Sequence, residues 1–184
     1  MRIILIGIQG SGKSTQGKLL SGHFGVEYIS TGDIFRRIAT EETVQGHSIA
    51  EKMRAGILIP DSVVIPLVAE YIHRPLYKAG YILDGFPRTR AQAEQFHEVP
   101  DAVIYFELTD QDAMKRIAGR RDNREDETEH AIAKRIELFH TLTEPLITHY
   151  RDKGKLVAVD AGQSIEAIFK EVLVSLQTRN SNAS

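Results

Sequence analysis

At 184 residues, 42% of them hydrophobic, the chain carries enough apolar material for one compact core and too little for several. A formal net charge of −2 with 26% charged residues excludes a general pull toward nucleic acid or an anionic membrane, so any positive field has to be local. The lack of cysteine excludes disulfide staples and cysteine-ligated zinc, and the apolar run in MRIILIGIQG is too short for a secretory signal. A soluble cytoplasmic protein without a membrane segment is therefore expected.

The chain opens on a β-prone run at residues 2–6. Four more follow at Glu27–Ser30, Tyr81–Asp84, Ala102–Glu107 and Leu156–Asp160. Helical patterns fill the gaps, at Lys13–Phe24 and at residues 62–78, 110–119, 129–151 and 164–178. Strand and helix in alternation predict an α/β fold in three layers, a five-stranded parallel sheet flanked by helices. Pro145 predicts a kink or break in the 129–151 pattern, because its ring blocks a continuous helix. Residues 31–60 depart from the rhythm: they read as two short helices inserted after the second strand, a candidate mobile subdomain. The tail RNSNAS, residues 179–184, is polar and expected to fray.

Between the first strand and first helix lies GIQGSGKST, residues 7–15. Gly7, Gly12, Lys13 and Ser14 fit the spacing of a phosphate-binding P-loop. Glycines let successive N–H groups, here those of Gly10, Ser11 and Gly12, curl around an anion, and the following helix points its positive end at the same place. Lys13 would bridge the β and γ phosphates of a nucleotide. Ser14 and Thr15 offer hydroxyls to phosphate or to the water shell of Mg²⁺. A carboxylate on a neighbouring strand should orient that shell, and Tyr81-Ile82-Leu83-Asp84 has the form of such an element. Asp84 on its own could equally be a turn or capping residue.

Further motifs specify what receives the phosphate. Asp84 is followed by Gly85-Phe86-Pro87-Arg88 and then Gln92; the second strand runs into Ser30-Thr31-Gly32-Asp33 and Arg36. Lys52-Met53-x-x-Gly56 leads into Pro60-Asp61, and Arg135 precedes Thr143-Glu144-Pro145-Leu146-Ile147. In this order, over about the whole chain, the motifs resemble the adenylate kinase family. The resemblance implies the P-loop NTPase fold and a single nucleoside monophosphate kinase domain. Its core would comprise residues 1–29, 60–118 and 128–184, with an AMP-binding insertion at 30–59 and a short arginine lid at 119–127. The implied reaction is reversible phosphoryl transfer from MgATP to AMP, giving two ADP, in a monomer.

The residues suit those roles. Arg36 and Arg88 have planar forks for bidentate grip on the acceptor phosphate. The Thr31 hydroxyl and the Gln92 carboxamide can read the edge of an adenine. The resemblance also implies that Met53, Ile57, Leu58 and Ile59 line the acceptor pocket with Gly85, Phe86 and Pro87, and that Asp33 stands near the Mg²⁺ waters with Asp84. Arg116, Arg120, Arg121 and Arg124 cluster beside Lys115 before EDETE reverses the sign. This is the local positive field, suited to neutralising oxygens that gain charge during transfer. By the resemblance, Arg116 or Arg120 meets the donor, with Arg121 beside them undecided. Arg124 and Arg135 meet the phosphates from the acceptor side, and the backbone carbonyl of Gln163 contacts the donor adenine.

Three features depart from the family: Gln9 stands where Pro is usual, Ser14 stands where Gly is usual, and the lid is too short for the small sheet or zinc knot of long-lid relatives. The uracil and cytosine monophosphate kinases share the scaffold, but Thr31 and Gln92 favour AMP. A shikimate-kinase-like enzyme would share only the P-loop and would not need GFPR. A P-loop regulatory module without catalysis is the alternative of another class; a GTPase would show an Asn-Lys-x-Asp motif, which does not occur.

Overall fold

The arrangement of the sheet follows from its first strand. In β1 (Arg2–Gly7) the side chains of Ile3 and Leu5 enter one apolar layer and those of Ile4 and Ile6 the other, all of them buried. A strand apolar on both faces has to lie inside a sheet that is itself covered on both faces. The computed structural model, which describes residues 1–119 and 128–182, places it so. The five strands are β1, β2 (Glu27–Ser30), β3 (Tyr81–Asp84), β4 (Ala102–Glu107) and β5 (Leu156–Asp160). They are all parallel, in the order β2-β3-β1-β4-β5.

Ile3 and Leu5 pack with Leu20 of α1 (Lys13–Phe24) and with Ile168, Val172 and Leu176 of α9 (Ile165–Asn182). On the other face Ile4 and Ile6 share a cluster with Val64 and Val68 of α4 (Asp61–Ile72) and with Leu146 and Tyr150 of α8 (Pro145–Asp152). The three layers and five parallel strands expected from the sequence are thus present. From β1 the chain moves first to one side of the sheet, β2 and β3, and then to the other, β4 and β5. The carboxyl end of β1 therefore faces the crevice where the two sets of loops part.

Two helices, α2 (Thr31–Ala39) and α3 (Val44–Arg54), occupy the inserted stretch after β2. Each begins where a hydroxyl can replace a missing backbone partner: Ser30 Oγ accepts from Asp33 N–H, and Thr43 Oγ1 from Gly46 N–H. Thr89 and Thr109 cap α5 (Arg90–Gln95) and α6 (Asp110–Ala118), and Thr128 caps α7 (Glu129–Leu138), in the same manner.

The helices differ from the sequence expectation in three places, while a fourth, the break at Pro145, is as expected. The 62–78 pattern stops at Ile72, because Pro75 holds Arg74 extended and only one 3₁₀ turn, Pro75–Tyr77, follows. The six-residue α5 was not expected at all. The 129–151 pattern is interrupted as Pro145 predicts. A π turn, Phe139–Thr143, closes with Glu144 N–H donating to Phe139 O at 2.8 Å, and Pro145, which has no N–H to give, begins α8. Finally, α9 runs on to Asn182 through residues expected to fray, with the Arg179 guanidinium reaching Leu156 O at 3.4 Å.

Candidate active site

The loop of residues 7–15 leaves β1 and enters α1 in the crevice, and its turn depends on glycine. Gly10 has φ of 91°, and a Cβ there would stand 2.8 Å from Ala113 O. Lys13 folds over the loop, donating to Gly7 O at 2.7 Å and Ile8 O at 2.8 Å. An ammonium so close to the loop backbone lies beside any anion held there.

At the end of β3, Asp84 is only 6% exposed, and its Oδ2 accepts two hydroxyls, Ser14 Oγ at 3.0 Å and Tyr28 OH at 2.6 Å. Burial and the adjacent Asp84 carboxylate push the Tyr28 phenol far above its ordinary pKa, so it remains a donor. Ser14 thus ties the P-loop to Asp84. Buried carboxylate and hydroxyl oxygens of this kind are hard donors suited to Mg²⁺ or to its bound waters.

Beside Asp84 the chain turns through Gly85, with φ of 88°, where a Cβ would collide with the Thr31 hydroxyl. Thr31 Oγ1 donates to Asp84 O at 3.2 Å, so β2 and β3 end in one connected corner. Arg88 turns back, its Nε donating to Gly85 O at 2.9 Å. Burial lowers the pKa of this guanidinium; Arg135 and Arg36 push the same way and Asp84 opposes them. Arginine stays charged nonetheless, so three guanidiniums repel one another around a hollow that an anion would relieve. Arg36 pairs with Asp33. Arg135 of α7 spans the crevice, reaching Met53 O at 3.0 Å and Gln9 Oε1 at 3.4 Å.

These groups border one cleft of about 700 Å³. Of the residues expected from sequence, its lining includes Gly10, Gly12, Lys13, Ser14 and Thr15 from the P-loop side. Facing them are Thr31, Arg36, Met53, Ile57, Leu58 and Ile59, and then Asp84, Gly85, Pro87, Arg88, Gln92 and Arg135. Ser11 and Phe86 are fully buried and do not line it; the Phe86 ring packs edge-on against Phe96 at 5.1 Å. Asp33 is also absent from the lining. Arg116 and Gln163 belong to a second place, where Arg116 Nη2 donates to Ala161 O at 2.7 Å, two residues before Gln163. Arg120, Arg121 and Arg124 lie outside the described residues, as does most of the 119–127 lid.

Sequence reasoning missed Phe35, Val64 and Phe139, which line the cleft, because in a one-dimensional pattern they look like core residues. It also missed Tyr28 as the second donor to Asp84. Gln9 was noted only as a departure, and its contact with Arg135 could not be read from spacing.

A family model described as adenylate kinase matches residues 5–155. The adenylate kinase of Mycobacterium sp. (strain MCS) is 39% identical over 183 residues, covering 96% of this chain and 99% of its own. That of Caldicellulosiruptor saccharolyticus is 36% identical over 212 residues, covering 96% and 99%, and that of Archaeoglobus fulgidus is 36% identical over 213 residues, covering 96% and 98%. With a match across most of the fold and relatives covered almost end to end, the chain belongs to the adenylate kinase family.

Proposed function

We propose that the 700 Å³ cleft is where the acceptor AMP meets the phosphates of ATP, and that its residues perform the reaction of the family, ATP and AMP reversibly giving two ADP. The observation that carries this reading is the convergence of Lys13, Arg36, Arg88 and Arg135 on one hollow beside a P-loop. A regulatory module would need the loop; it would not need three further cations facing it.

Phosphoryl transfer requires alignment, exclusion of water and cations where oxygens gain charge. Lys13 would release its two backbone carbonyls for the β and γ phosphates. Arg88 and Arg36 would hold the acceptor phosphate, and Arg135 would stand between the two phosphate chains. No side chain is needed as a nucleophile, because the acceptor phosphate is already an anion. Ser14, Thr15 and Asp84 would hold Mg²⁺ or its waters. When bound with ATP, the ion draws negative charge from the phosphate oxygens. Thr31 and Gln92 would read the adenine of AMP, while Arg116 and the Gln163 carbonyl receive the donor base.

The insertion at 30–59 and the lid at 119–127 would close over this site, with Arg120, Arg121 and Arg124 supplied by the lid. The lengths of the alignments favour a short lid: the match to the Caldicellulosiruptor relative runs over 212 residues, longer than this chain, whereas that to the Mycobacterium relative runs over 183. The enzyme would work as a monomer, as the family resemblance implies, and it would do so in the cytoplasm, where both nucleotides are at hand. Among the described residues no helix is long and apolar enough to cross a membrane.

The test is ADP formation from MgATP with AMP, UMP, CMP, GMP or shikimate in turn. AMP should be the strongly preferred acceptor; folded protein that turns over UMP or shikimate better than AMP would refute the assignment.

A further inference from the structure

Gln92 lines the acceptor pocket with a group whose chemistry depends on its surroundings. A carboxamide has a donor end and an acceptor end of nearly the same shape, and a free one turns over to suit whatever base it meets. Adenine presents on its Watson–Crick edge a donor, the 6-amino group, beside an acceptor, N1. A 6-oxopurine, as in IMP or GMP, presents the reverse, an acceptor O6 beside a donor N1–H. A freely rotating Gln92 could therefore serve both.

In this protein it cannot rotate freely. Gln92 is 2% exposed, and its Nε2 donates to Asp61 Oδ1 at 2.7 Å while its Oε1 accepts from the Arg88 backbone N–H at 2.7 Å. A carboxylate can only accept and a backbone N–H can only donate, so the two partners admit a single orientation of the amide. Turning it over would press Oε1 against the Asp61 carboxylate and Nε2 against the Arg88 N–H, leaving buried groups unsatisfied. Each partner is itself held: Thr89 Oγ1 donates to the other oxygen of Asp61 at 3.4 Å, and Thr143 Oγ1 donates to Arg88 O at 2.9 Å. The hold uses one of two N–H groups and one of two lone pairs. What remains toward the cleft is one donor and one acceptor in a fixed order.

We propose that Asp61, which does not itself line the cleft, is a specificity-determining positioning residue: by fixing the Gln92 carboxamide it makes the pocket read 6-aminopurine monophosphates and reject 6-oxopurine ones. This rests on the reading of Gln92 as facing the acceptor base.

The test compares kcat/KM for AMP and IMP, at saturating MgATP, in the wild type and in Asp61→Asn, whose carboxamide can face either end of Gln92. The AMP-to-IMP ratio should fall about 10-fold or more, a scale set by the discrimination of one bidentate amide–base pair. The change should lie in KM for the monophosphates, with KM for ATP unchanged. Asp61→Glu, which keeps the acceptor-only character, should retain most of the ratio. Equal loss of AMP and IMP turnover in Asp61→Asn, with the ratio intact, overturns the proposal. Where Asp61→Asn does not fold, Asp61→Ser, whose hydroxyl can donate or accept, serves the same comparison with the same two outcomes. Gln92→Leu separates the underlying reading: an unchanged KM for AMP in that variant would show that Gln92 does not face the base at all.

Discussion

Arg88 shows most plainly how burial and charge act on one side chain of the cleft. It has one backbone partner, Gly85 O, and lies close enough to Arg36 and Arg135 for both to depress its pKa along with burial. Keeping a guanidinium there costs desolvation that one carboxylate, Asp84, only partly offsets. An acceptor phosphate would supply what is lacking. Arg88→Ala is therefore expected to lower kcat by about a thousandfold, the scale of a lost transition-state arginine. ATP affinity, measured by calorimetry without AMP, should change little, since the P-loop holds the donor; an equal loss of ATP binding would contradict this placement. The same variant should fold at least as well as the wild type, because it removes mutual repulsion among three cations.

Among the elements, α6 and the π turn carry the clearest pH dependence. His140, within the π turn, bridges it to α6, its Nε2 2.9 Å from Asp110 Oδ1 and its Nδ1 2.8 Å from Glu144 Oε2. Those two carboxylates raise its pKa above the ordinary 6.5. A pKa raised by folding means that the contribution to stability is full below pH 6.5 and is lost as pH rises through the folded value. The group is largely exposed, so solvent screening keeps the effect small. His140→Gln should accordingly lose Tm relative to the wild type at pH 5.5 and approach it at pH 8.5, as followed by thermal melts. A difference that grew with pH would refute the pairing. This contact also ties the start of α6 to the turn that continues α7.

At the level of the whole molecule, Ile104 in β4 is fully buried in the layer beneath α9. Ile104→Ala should cost about 2–5 kcal/mol, with a Tm loss of roughly 2–4 °C for each kcal/mol in a domain of this size. Urea denaturation would check the first figure. The central strands were legible in the sequence because a strand buried on both faces must be a short apolar run, such as RIILI or YILD followed by glycine, whatever surrounds it. The P-loop and GFPR were legible because backbone geometry there demands glycine and proline at fixed spacing. The roles of Asp61 and Tyr28 were not, since each acts through a partner far along the chain, and neither residue type at its position signals that partner. The end of α4 was misread because apolar periodicity continued across Pro75. The six residues of α5 gave no period long enough to register, although Thr89 had the chemistry of a cap.

The order β2-β3-β1-β4-β5 bears on how the protein comes into being during synthesis. Its first strand emerges first and waits longest. Ile3 pairs with Ile82 on one side and Ala102 on the other, so one flank of β1 stays open until β3 is made and the other until β4, past the middle of the chain. Until β3 is made the loop of residues 7–15 hangs from a strand with no sheet, and the partner of Ser14, Asp84, is not yet in place. A complete site is thus not an early event in the life of a nascent chain, and a fragment ending before β3 would carry every letter of the P-loop without the carboxylate that Ser14 meets. The nucleotide, binding only the finished arrangement, then acts as the closure that favours it over every partly made one.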